Sequence, residues 1–282
     1  MANTIQLAEK FVPVIDEIYK KASLTSVLDA TTQVDFTGTN TVKIMKINTT
    51  ALGDYSKENG YPEGDVTVTW EAMQLLNDRA KTFSIDRMDN EETLGQAFGG
   101  AMGNFMSAHV APEVDAYRFA KYAKATGIGK TSATLADGEA VVKAVRAAIT
   151  AMDEAEVPAE DRIIFITPTL YGLVQDLDTT KSKEVFKRVS SVIEVPQTRF
   201  YSDITLNSGA DAWGYAKADG AKDINFMIVS KSALVQAQKL ALPKIFDPDT
   251  NQDKDAWKFQ FRLYHDAFVL ENKVNGIYVH TK

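Results

Sequence analysis

At 282 residues and 31.1 kDa the chain can bury a substantial core, as one large domain or two ordinary ones. Apolar residues make up 45% and charged residues 24%, the balance of a soluble globular protein, and the absence of cysteine excludes disulfides, thiolate catalysis and cysteine-ligated zinc. A net charge of −7 argues against a protein whose main task is gripping nucleic acid, although a container need not bind its contents tightly.

Residues 5–22 carry Ile5, Ala8, Phe11, Val12, Ile15, Ile18, Tyr19 and Ala22, an apolar stripe at helical spacing that Pro13 interrupts. A short arm cannot bury its own stripe, so it is expected to lie on another part of the protein or on another copy. No basic segment followed by an apolar run stands at the start, so no export signal is read there. Residues 41–47 and 65–70 read as strands, the second with Val66, Val68 and Trp70 on one face. The seventeen residues between them are mostly polar turn formers, among them Gly53, Asp54, Asn59, Gly60, Pro62 and Gly64. A two-stranded ribbon with so long a tip is marginal alone. It is either a loose surface insertion or an arm that becomes rigid on a neighbour.

Residues 74–86 continue as a strand, and Asp89 with Glu92 three positions on signals a helix start. That helix is expected to reach about Thr126 with a bend near Pro112, a length of roughly 50 Å at 1.5 Å per residue. Its first twenty residues after Glu92 carry no formal charge, long enough to span a bilayer. Their glycines, Gln96, Asn104, Ser107 and His109 make insertion costly, so a packed helix is the expectation. Gly95, Gly99 and Gly103 share one face, which predicts close approach of another backbone to offset their cost to the helix.

From Asp137 the texture alternates. Asp137 caps a helix facing Val141, Val142, Val145, Ala148, Ile149 and Met152 inward. Residues 162–166 are a buried-strand run, and Thr167-Pro168 opens a helix with Leu170, Leu173, Val174 and Leu177 as its stripe. The glycine-bearing stretch 207–223 reads as an exposed tip, 224–229 as a strand, 257–263 as the start of a final sheet, and 264–282 as two short strands with a turn.

Four features suggest chemistry. Gly127-Ile-Gly-Lys-Thr131 resembles the end of a phosphate-binding loop, but the glycine required five positions before Gly129 is Lys124, and a glycine helix cap explains the run better. Residues 247–255 place oxygen ligands at alternate positions as calcium loops do, yet Gln252 replaces the glycine and Lys258 the bidentate glutamate. His109, His265 and His280 have no metal-ligand spacing, and His265-Asp266 in a strand would point to opposite faces. Asp153-Glu154 and Glu91-Glu92 sit at helix ends, where capping and solvation suffice. Catalytic, cofactor and metal sites are therefore expected to be absent.

The C-terminal segments Phe261-Arg-Leu-Tyr-His-Asp-Ala-Phe268 and Asn272-Lys-Val-Asn-Gly-Ile-Tyr-Val279, together with the order of elements, resemble the major capsid proteins of tailed bacteriophages, the Hong Kong 97 fold. The resemblance implies an α+β chain with an N-terminal arm (1–34), an extended β-hairpin loop (35–86), a peripheral domain with a long spine helix (87–136 and 245–282), and an axial α/β domain (137–244). It also implies pentamers and hexamers closing an icosahedral head around double-stranded DNA, without sequence-specific DNA binding and without a membrane. The location implied is the virion, assembled in the host cytoplasm.

Expected partners are other copies, a separate scaffolding protein, since the chain begins almost at the arm, and a portal protein. Subunit-interface candidates are Phe11, Ile15, Tyr55, Lys57, Tyr61, Trp70, Gly99 and Gly103. Some members join subunits by a lysine–asparagine isopeptide bond, but only a lysine, Lys57, is identifiable here. The alternatives are an encapsulin-type shell around a protein cargo and, from another class, a nucleotide-dependent enzyme using Lys130.

Overall fold

A computed structural model of the chain describes residues 18–19, 21–29, 35–37, 40–58, 60–92, 96–177 and 184–282. The expected arm positions Phe11 and Ile15, and Gly95, lie outside the described residues.

Two sheets share one long helix. The first has the order β5-β13-β10-β6-β7, built from β5 (Gly129–Ser132), β6 (Arg162–Ile166), β7 (Ser191–Glu194), β10 (Ile224–Ser230) and β13 (Ile277–Thr281). β6 and β10 are buried at every position, which explains their unbroken apolar runs. Alternate residues serve opposite faces. Ile163, Phe165, Met227, Val229, Ile277 and Val279 pack with Phe119 and Tyr122 of α3 (Ala111–Lys124). Ile164, Ile166, Phe226 and Ile228 pack with the stripe of α4 (Gly138–Glu154) and with Leu170 and Val174 of α5 (Pro168–Gln175). The Asp137 carboxylate caps α4, accepting from Ala140 N at 2.7 Å.

The second sheet has the order β11-β12-β4, from β4 (Asn77–Asp86), β11 (Leu234–Phe246) and β12 (Ala256–Val269). Phe259, Phe261 and Leu263 of β12 cover Phe98 and Met102 of α2 (Gln96–Phe105), then Met106, Val110 and Val114. Between α2 and α3 the backbone takes one π-helical stretch, Met106–Val110, directly before Pro112. Proline removes a helix donor, and the wider turn re-routes the ladder there. Where an interruption or bend was expected near Pro112, the helix widens into this π-helical stretch.

Several expectations need correction. The last strand does not return to the second sheet: β13 pairs antiparallel with β10 and parallel with β5, while β11, expected mostly with the alternating segment, pairs along its length with β12. The helix before α2 is α1 (Arg87–Glu92), and it begins before Asp89. Its start is capped by Asp86, whose Oδ1 accepts from Met88 N at 3.0 Å. The stretch 207–223 is largely exposed, as read, but it is anchored. Arg79 of β4 donates to the carbonyls of Asn207 and Gly214, and Lys81 sits 3.2 Å from the Trp213 ring centre, so the loop docks on the second sheet. A small ribbon closes its base, pairing β8 (Ile204–Leu206), just before the stretch, with β9 (Tyr215–Lys217) inside it.

Candidate assembly surfaces

The third sheet projects from this body. β2 (Thr41–Thr49) and β3 (Val66–Gln74) form an antiparallel ribbon, with β1 (Asp35–Thr37) on the root of β2. Directly opposed residues share a face. One face carries the pair Val42 and Met73, both buried with Leu75 and Ala237. Further out on that face, Lys46 meets Glu71 at 2.8 Å and Glu271 of the body at 2.6 Å. These acidic partners raise the Lys46 pKa above its ordinary value, Glu271 contributing most.

The opposite face points away from the body. It pairs Met45 with Trp70, Ile47 with Val68, and Thr49 with Val66. Its apolar members are at least half exposed, Trp70 at 61%. The stripe continues through Leu76, which is exposed at 70%. Single exposed apolar residues are ordinary, whereas a contiguous stripe on a projecting two-stranded sheet marks a surface that something covers. Beyond it, Tyr55 and Tyr61 stack edge-on at 5.2 Å and are both exposed, with Lys57 in the turn between them. The tip's own structure rests on reciprocal hydrogen bonds between Ser56 and Gly60, where φ is +78°.

Of the interface candidates, Tyr55, Lys57, Tyr61 and Trp70 are thus gathered on the ribbon. Gly99 and Gly103 stand apart on α2. A Cβ at Gly99 would meet nothing within 4 Å, and one at Gly103 only Ile18 Cδ1 at 3.6 Å. No backbone of the described residues approaches them. Among the described residues, only the Ile18 side chain comes near either glycine.

One polar cluster had no counterpart in the sequence reading. Asp115 of α3, fully buried, accepts from Ser23 Oγ (2.8 Å), Leu24 N (2.9 Å), Thr25 N (3.1 Å) and Thr25 Oγ1 (2.7 Å), and Arg199 Nη1 reaches it at 3.3 Å. Arg118, one turn on, donates to Thr25 Oγ1 at 2.8 Å and pairs with Asp29 at 3.5 Å. The segment after the arm is thereby bolted to the long helix. The only sequence signal was an acidic and a basic residue three apart among apolar neighbours.

The chemical readings find no support in the geometry. Lys130 lies in the edge strand β5, and the next helix begins at Gly138, so no glycine loop feeds a helix N-terminus. Gly129 is explained by Tyr278, whose ring would clash with a Cβ at 2.4 Å. Gly127, at φ +84°, forms the turn after α3 two residues beyond its cap. In the 247–255 loop, Asp247 accepts from Thr250 N at 2.7 Å, Arg87 pairs with Asp249 and Asp255, and Lys258 with Asp253 at 2.5 Å. Among the described residues no group of three metal-ligating side chains occurs, and no helix is long and apolar enough to cross a membrane. Asp153 is more than a solvated helix end: Arg162, almost fully buried, and Arg188 both bind it, and Arg162 holds its carboxyl below the usual range.

A cavity of about 550 Å³ opens between β4, the π-helical stretch and the docked loop, lined by Phe105, His109, Trp213 and Phe261 beside the Arg79–Glu113 ion pair. It holds no nucleophile–base pair.

Two histidines are buried in separate surroundings. His265 Nε2 lies 3.1 Å from Asn77 Nδ2, and His280 Nδ1 lies 3.0 Å from Asn225 Nδ2. Burial, with the charges of Arg118 and Arg79, pushes the His265 pKa from 6.5 down to about 3, and burial also lowers that of His280. The unfolded chain binds these protons near pH 6.5 while the folded chain refuses them. Stability is therefore complete above that pH and falls as pH drops from 6.5 toward 3. Between pH 6 and 5 the unfolding free energy of the native chain should fall about 1 kcal/mol more than that of His265→Gln, measured by urea titration. Parallel pH slopes in the two proteins would contradict this.

No known family profile matches the sequence, and no curated protein matches it. Solved structures do. The capsid of cyanophage P-SCSP1u superposes with a TM-score of 0.64 at 16% identity, over 92% of this chain and 88% of that one. A virus-like particle from Pyrococcus furiosus gives 0.61 at 12% identity, over 96% and 98%. A structure from Mycobacterium phage Che8 gives 0.57 at 13%, over 86% and 84%. The class this defines is architectural: an α+β fold in which helices and sheets are nearly balanced. That fold is the Hong Kong 97-type capsid fold.

Proposed function

We propose that the chain is the major capsid protein of a tailed bacteriophage, a non-enzymatic subunit that associates with itself as pentamers and hexamers to enclose double-stranded DNA. The observation that carries this, beyond the fold, is the ribbon: a projecting sheet whose outward face is apolar and exposed from Met45 to Trp70. A monomer gains nothing from that face, whereas a shell subunit must bury surface against several neighbours.

In this reading the ribbon is the extended loop lying across an adjacent subunit, and Tyr55, Lys57, Tyr61 and Trp70 are contact residues. Gly99 and Gly103 offer a second contact along α2, with Phe11 and Ile15 of the arm as further interface residues. The sheet pairings favour a redrawn division, with an axial domain of 127–233 and 277–282 and a peripheral domain of 77–126 and 234–276. A scaffolding protein, a portal and a virion location, after assembly in the host cytoplasm, complete the proposal. Likeness to a virus-like particle favours one second reading, an encapsulin-type shell around a protein cargo.

A photo-crosslinking side chain at position 70 tests the contact. Crosslinks between isotopically distinct copies are expected to dominate the mass spectrum of assembled material. Crosslinks confined within one copy would remove the ribbon from the interface.

A further inference from the structure

β3 and β4 are consecutive strands of two different sheets, and only Leu75 and Leu76 join them. On the β4 side the ribbon therefore meets the body at a two-residue joint, three of whose four backbone groups have a named partner. Leu75 N donates to Asn40 O at 2.8 Å, and Leu75 O accepts from Tyr264 Oη at 2.9 Å. Leu76 N donates to Asp266 Oδ2 at 3.1 Å. The other oxygen of Asp266 accepts from Tyr117 Oη at 2.9 Å and from Ala267 N at 2.8 Å, with Lys121 Nζ at 3.5 Å. This carboxylate is fully buried, so it cannot exchange those donors for water. Leu75 is buried in the small cluster at the root, whereas the Leu76 side chain is exposed and holds nothing.

We propose that Leu75–Leu76 is a hinge and that Asp266 is the latch that sets the ribbon's angle to the body, tying the joint to the long helix through Tyr117. The hydrogen-bond ladders on either side end at Gln74 and begin at Asn77, so a rotation there leaves both intact. Among the described residues, the other attachments at the root are the Val42–Met73–Leu75–Ala237 cluster, against which Ile44, Tyr264, Phe268 and Leu270 pack, the bond of Leu75 N to Asn40, and the exposed contact of Lys46 with Glu271. A ribbon that turns as a unit can reach a neighbour at either of two angles without remaking its own pairing. This last use rests on the shell reading above; the hinge and latch do not.

The test is hydrogen exchange on the full chain, comparing native protein with Asp266→Asn, Tyr117→Phe and Tyr264→Phe. In Asp266→Asn, exchange at Leu76 and along residues 41–49 and 66–74 is expected to rise about tenfold, and severalfold in each tyrosine variant. Amides of β6 and β10 should be unchanged in all three. If Asp266→Asn loosens the whole protein, the tyrosine variants decide the matter. Ribbon exchange at the native rate in both, or exchange raised equally in β6 and β10, overturns the latch. Localised exchange in a chain that never assembles would leave the latch standing and sink the shell reading instead.

Discussion

Replacing Asp115 with alanine is expected to lower the unfolding free energy by about 3–5 kcal/mol, among the largest effects of any single substitution in the chain. The carboxylate receives donors from Ser23, Leu24 and Thr25 and a guanidinium from Arg199, all converging on a site without solvent. Truncation leaves those donors unpaired, and it leaves the buried Arg118 with less counter-charge. Urea titration with a near-ultraviolet probe reads the loss. Exchange at the amides of residues 23–25 should increase in parallel, because the segment is released from α3. A loss below about 1 kcal/mol would mean that water replaces the carboxylate, contrary to the burial described.

The second expected result concerns assembly with stability left alone. Ile47→Glu combined with Val68→Glu puts two adjacent carboxylates on the outward face of the ribbon. Both positions are exposed in the single chain, so thermal unfolding should move by little, about 0.5 kcal/mol or less per site. At a buried contact between copies, each charge would cost at least about 2 kcal/mol. Because every subunit of a closed shell makes the contact, association should be abolished. Light scattering after chromatography distinguishes the outcomes. Normal assembly by the double variant would show that the apolar face stays in water.

Much of this architecture was legible in the residues. The α4 stripe, its Asp137 cap, the unbroken run of β6 and the alternation of Val66, Val68 and Trp70 all reflect one periodicity each, and each element formed as read. What failed to show was anything set by distant pairing. Nothing near Asp115 in sequence announces its buried site, because its donors lie some ninety positions earlier. β13 reads as the partner of the strand before it, although a 3-10 turn at Glu271–Gly276 carries the chain over to the other sheet. The anchoring of the exposed loop at 207–223 was not legible, because Arg79 and Lys81, which hold it, belong to a strand far upstream. Among the described residues, the spacing of Gly99 and Gly103 meets no packed backbone, only the Ile18 side chain beside Gly103.

The most direct measurement is electron microscopy of the purified chain, alone and with a scaffolding protein, alongside its mass in solution. Closed shells, rings of five or six, or curved sheets are expected, and the enclosed material, DNA or protein cargo, separates the two shell readings. A monodisperse monomer under both conditions would contradict the account.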